Sequence, residues 1–175
     1  MTLCNFRRSL LSVVSTAAVL FASTAPAWAD DVDGKAKSLP FKADLVIAET
    51  LAAGNLNCDE IGIITGSGYA THLGKVTLSS YDCINFTSPT AFIFQTLQGM
   101  KVVLTAANGD QLFATYRGSA TPQPGGVLLL SGTFSFMGGT GRFARATGTG
   151  TLDGVEDIST APAGGVLELS AQIAY

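Results

Sequence analysis

The sequence predicts an all-β protein, an eight-stranded, mostly antiparallel up-and-down barrel over residues 41–175. Three observations carry this. Apolar residues recur with a period of two from Phe41 onward, and no window of eleven residues holds a helical stripe. Turn signals divide the chain into about eight short runs. A meander of that kind leaves two open edges unless its first and last strands meet, which favours a closed barrel over a two-layer sandwich.

The first run, "FKADLVIAETL", places Phe41, Ala43, Leu45, Ile47 and Leu51 on one side, with Glu49 among them. "IGIITGSGYATHL" and "KVTLSSYDCINF" read as two strands broken near Gly74. "MKVVLTAANGDQLFATYRG" reads as a hairpin, with Asn108-Gly109 as a two-residue type I′ turn. That turn pairs Thr105 with Leu112 and Val103 with Ala114. "GVLLLSGTFSF" sets Leu128, Leu130, Phe134 and Phe136 against Ser131, Thr133 and Ser135. Beyond a glycine-rich turn, Ala146, Gly148, Gly150 and Leu152 share a face opposite Thr147, Thr149, Thr151 and Asp153. The last run alternates Leu167, Leu169, Ala171, Ile173 and Tyr175 with Glu168, Ser170 and Gln172.

The N-terminus reads as an address. Arg7 and Arg8 precede the apolar "SLLSVVSTAAVLFAS", and Ala27 and Ala29 stand at the small-residue positions of a cleavage site. The expectation is a signal peptide over residues 1–29, cut after Ala29. The apolar run is shorter than the ~20 residues that span a bilayer, so no membrane span is expected after cleavage. Residues 30–40 are charged and unpatterned and read as a flexible lead. The protein is expected to be secreted or periplasmic.

Ten basic residues, two of them in the leader, face thirteen acidic ones. That balance, without a basic run, argues against nucleic acid as a partner. Cys4 leaves with the leader, and Cys58 and Cys83 are then an even pair in an oxidising compartment, which predicts a disulfide. Two cysteines and the single His72 are a poor zinc set, so no metal or cofactor is expected. Asn85-Phe86-Thr87 fits a glycosylation sequon, read as chance because the leader looks bacterial.

The stretch "FMGGTGRFARATGTGTLDG", Phe136–Gly154, poses the choice between a phosphate loop and a barrel corner. Gly139-Thr140-Gly141 lacks the third glycine of a dinucleotide fingerprint, and no long helix follows to bind an anion. Glycines at alternate inward positions instead suit tight curvature.

"ATHLGKVTL", "AANGDQLFATYRGSATP" and above all "GGTGRFARATGTGTLDG" resemble small secreted bacterial proteins with an allene oxide cyclase-like barrel, the fold shared with dirigent proteins. The resemblance runs over roughly 61–175. It implies an eight-stranded barrel and a possible homo-oligomer. None of the enzymes' catalytic motifs aligns here, so it implies no catalytic residue and no proven activity.

The candidate ligand-binding residues are Glu49, Tyr69, His72 and Tyr116. A carboxyl on Glu49 facing a barrel interior would be desolvated and its pKa raised. The preferred reading is that the strand ends before Glu49 or a bulge turns it outward. Tyrosines at 69, 81 and 116 could line a barrel mouth or simply pack. His72 is expected on a strand near a rim, in a structural role; no nucleophile elbow accompanies it.

Two functions compete. One is a binding or structural module for a small apolar ligand or for self-assembly, since an eight-stranded barrel can hold one small ligand. The other is an isomerase or cyclase acting on a reactive apolar substrate inside the barrel, which requires at least two of Glu49, Tyr69 and His72 in one cavity. A possible homo-oligomer is also expected because the 100–117 hairpin looks apolar on both faces.

Overall fold

The computed structural model describes residues 37–88 and 91–175. The expected leader, and residues 30–36 of the lead, lie outside the described residues. The strands are β1 (Leu39–Asn55), β2 (Cys58–Ala70), β3 (Gly74–Ser88), β4 (Ala91–Thr96), β5 (Val102–Ala106), β6 (Gln111–Gln123), β7 (Val127–Gly139), β8 (Thr147–Asp157) and β9 (Ala163–Ala174). Among the described residues the helical element is one three-residue turn, Gly141–Phe143.

Nine strands fill eight positions. β4 and β5 both pair with β3 on one side and β6 on the other, so together they make one interrupted strand. Every other neighbour in the sheet is the next strand in the chain, and all pairings are antiparallel. β1 closes on β9 from Leu39↔Ile173 to Glu49↔Ala163. The barrel therefore has no free long edge, as a period-two meander requires to avoid edge pairing. The run 91–96 has no clear alternation, so the sequence gives no signal for it as a strand.

The interior is the apolar parity of every strand. Phe41, Ala43, Leu45 and Ile47 are buried, while Lys42, Asp44 and Val46 between them are exposed. Fully burying each large side chain of this kind contributes about 1.5–3 kcal/mol. One end is packed solid. Phe41 and Phe136 meet edge to face at 4.9 Å between ring centres, and Phe134 meets Phe136 in the same way at 5.1 Å. Phe143 plugs that end, fully buried against Tyr175.

The glycine-rich stretch builds this closed end. The Thr140 hydroxyl accepts from Gln111 N at 2.8 Å, and Thr140 N donates to Gln111 O at 2.8 Å, so the corner is tied to the start of β6. Gly150 lies so close to β9 that a Cβ there would stand 2.2 Å from Ser170 O. Glycine is thus required by approach, not by a ligand.

The hairpin differs from expectation by one residue. Leu104 pairs with Leu112 and Val102 with Ala114. Gly109 N donates to Ala106 O and Ala106 N donates to Asp110 O, and only Gly109 takes a positive φ, +88°. The loop is therefore a three-residue turn with a glycine bulge, not the two-residue type I′ form. A one-residue slip exchanges faces. Val102, Leu104, Leu112 and Ala114 all point inward and are buried. Outside remain Val103 and Phe113, the latter capped by Lys101 Nζ 3.3 Å from its ring centre. The register thus changes which residues share a face, and the outer face keeps Val103 and Phe113 as its apolar pair. A different outer row exists: Val46, Val166, Val155 and Leu129 stand in register on β1, β9, β8 and β7, and all four are exposed.

Cys58 and Cys83 are joined in a disulfide with Cα atoms 5.2 Å apart, as their pairing predicted.

Candidate functional site

The end opposite the aromatic plug is hollow. A cavity of about 650 Å³ opens there, within the ~300–1,000 Å³ range of small-molecule sites. Its walls are mostly apolar: Ile47 and Ile64 on β1 and β2, Phe94 on β4, Leu128 and Leu130 on β7, Leu152 on β8. Leu51, Phe86 and Ile158 at its lip are exposed.

Carboxyls converge on this apolar space from three strands. Glu49 on β1, Asp82 on β3 and Glu156 on β8 share the inward parity of their strands and are 9, 4 and 3 % exposed. Small residues make room for them. Gly62 lies between, paired with Asp82 on one side and Leu51 on the other. A Cβ on Gly62 would stand 1.8 Å from Glu49 Oε1. On β9, inward Gly165 is level with Glu156 and leaves open the gap toward Glu49.

The interruption between β4 and β5 serves the same level of the barrel. There Tyr116 loses a backbone partner, and the Thr96 hydroxyl stands in, accepting from Tyr116 N at 2.9 Å and donating to Tyr116 O at 3.4 Å. The Tyr116 ring turns inward against Phe94. Its hydroxyl donates to Asp82 Oδ1 and lies 3.1 Å from Ser80 Oγ. Ser80 also donates to Asp82 Oδ1 at 3.4 Å.

Burial sets the charge state. It pushes Glu49 up to about 9, and the adjacent charge of Glu156 and a hydrogen bond with it add to the shift. Asp82 is pushed up to about 8 by burial, opposed by its bond from Ser80 and reinforced by Glu156. Glu156 is raised by burial and eased by its bond with Glu49. Each glutamate nevertheless keeps its Oε1 buried without a hydrogen-bond partner, which costs roughly 1–3 kcal/mol per group. Neutral carboxyls at neutral pH can donate hydrogen bonds or protons, which carboxylates cannot. Among the described residues no group of three or more His, Cys, Asp or Glu is arranged to hold a metal ion.

The four sequence candidates separate. Glu49 and Tyr116 both line the cavity. For Glu49 this corrects the outward reading: β1 continues through Asn55, so the alternation carries the side chain inside. Tyr69 is on the outer face of β2, 68 % exposed. His72 is not on a strand. It occupies the β2–β3 turn at φ +68°, at the plugged end, with Nε2 3.0 Å from Pro40 O and its ring against Tyr175. The trio Glu49, Tyr69 and His72 is therefore not assembled in one cavity.

Asp82, Ser80 and Glu156 belong to the candidate site and were missed by the sequence reading. Parity could have found them. Ser80 and Asp82 come after Val76 and Leu78 at steps of two, and Glu156 comes after Leu152 and Gly154 in the same way.

No protein-family model matches the chain, and no curated protein matches it.

Proposed function

We propose that the barrel binds a small, largely apolar molecule in its open end, the polar part of that molecule resting on Glu49, Asp82 and Glu156. The observation that carries this reading is the hollow half of the interior, mostly apolar in its lining, with three buried carboxyls facing into it. A barrel serving only as scaffold would fill both ends as it fills the one around Phe143. The test is fluorescence titration with Nile red, against wild type and a cavity-filling Ala120→Phe variant whose folding is checked by circular dichroism. Saturable binding by wild type alone is expected. No uptake by wild type sinks the reading.

A second reading is catalysis, an isomerase or cyclase protonating a reactive apolar substrate; it fails on the trio Glu49, Tyr69 and His72 and can rest only on other residues. It is favoured by the Asp82–Tyr116 pair, which holds a proton inside a water-poor cavity. Membership among allene oxide cyclase-like, dirigent-type barrels is part of the same proposal. So are secretion or a periplasmic location, with which the disulfide is compatible.

Self-association is a separate proposal. It now rests on the outer row Val46, Val166, Val155 and Leu129 instead of the hairpin. Light scattering on wild type and Val166→Lys tests it: a wild-type monomer at micromolar concentration removes it.

A further inference from the structure

We propose that the molecule this cavity takes is an amine: an apolar body ending in a cationic ammonium group, seated on Glu49, Glu156 and Asp82. The inference rests on the ligand-binding reading above and names the head group.

Three features point to a cation. The charged side chains that line the cavity are all acidic: Glu49 from β1, Glu60 from β2, Asp82 from β3 and Glu156 from β8. Tyr116 from β6 is the remaining titratable group there, and β4, β7 and β9 contribute none. The unmet groups are carboxyl oxygens. Glu49 and Glu156 are both more than nine-tenths buried, and each holds an Oε1 with no donor. An ammonium carries three donors and no acceptor, which matches the two orphan oxygens and leaves a third N–H for Asp82 or solvent. A neutral alcohol brings one donor and leaves one orphan. A carboxylate head brings none and adds an uncompensated charge to a site whose burial already disfavours charge. The apolar surroundings, with Phe92, Leu128, Leu130 and Leu167 lining the same cavity, suit an organic cation over a hydrated metal ion.

Binding has a proton balance that identifies it. In the free cluster Glu49 and Asp82 hold their protons because burial penalises charge. An arriving ammonium supplies the compensating charge, so one carboxyl O–H breaks and its proton goes to solvent while the N–H···O contacts form. The amine keeps its own protons, so the net charge of the cavity is the same before and after binding.

The experiment is isothermal titration of decylamine, decanol and decanoate into the full protein at neutral pH, in two buffers of different ionisation enthalpy. Decylamine is expected to bind about tenfold or more tighter than decanol, releasing about one proton per amine bound. Decanoate is expected to be the weakest. Glu49→Gln with Glu156→Gln, and Glu156→Gln alone in case the pair fails to fold, should abolish the amine preference while decanol still binds. Decanol binding as tightly as decylamine, or an amine preference that survives both variants, overturns the amine assignment and leaves the ligand-binding reading standing. Failure of all three compounds and of Nile red to bind removes both.

Discussion

Glu49 on β1 and Glu156 on β8 share a hydrogen bond between their carboxyls although β9 separates the two strands. The two residues are 107 positions apart in the chain and meet only because the barrel closes β1 onto β9. Their contact helps set the charge state of the open end.

Stability should fall with rising pH. Glu49 and Asp82 keep their protons in the folded state to about 9 and about 8, whereas the unfolded chain releases them in the ordinary carboxylate range. The folded state then binds more protons, and ∂ΔG/∂pH is negative through that window. The contribution is complete below the ordinary range and lost progressively up to about 9. Calorimetric melts should show a higher midpoint near pH ~5 than near pH ~9, with a shallower slope in Glu49→Gln. A wild-type midpoint that rises over this window contradicts the assigned directions.

Gly62→Ala should act through Glu49. The added methyl collides with Oε1, and overpacking of this kind costs about 1–3 kcal/mol. In a Glu49→Ala background the collision is gone and most of that cost should vanish. Urea unfolding of the four proteins of the cycle measures the coupling; strictly additive losses would show that Gly62 is needed for another reason.

Phe143→Ala should destabilise the protein by about 3–5 kcal/mol, because a fully buried ring leaves a void. The plug is at the opposite end from the cavity, so the folded fraction should still take up Nile red with unchanged affinity. Loss of dye affinity at a temperature where the variant is folded would show that the two ends are coupled.

Replacing Cys58 and Cys83 together by serine should cost about 3–4 kcal/mol in the chain-entropy account, since the bridge spans 25 positions. Equilibrium denaturation measures it. A loss below ~1 kcal/mol would mean that the pairing of β2 with β3 already restrains the unfolded chain.

Some of the site was legible and some was not. The inward glycines of β8 came from alternation alone, and the corner at 138–146 from its three glycines. Glu49 had the right parity, but placing a carboxylate inside an apolar barrel carries a desolvation penalty that argued the other way. The structure meets that penalty by protonation and by a cluster. Glu156 was hidden by its neighbour Val155, whose apolar side chain suggests the opposite face for the end of β8. The hairpin was misread because Asn-Gly supports more than one loop length, and one residue of slip exchanges inside for outside.

What the chain determines locally is the alternation: each residue's face is set by its neighbours two places away, so strands, core face and glycine corner could be read directly. Which inward residues share a height in the barrel depends on how far each strand is staggered against the next, and that stagger is settled only when the whole sheet closes. Glu49, Asp82 and Glu156 are therefore a cluster by closure, a property no single segment carries.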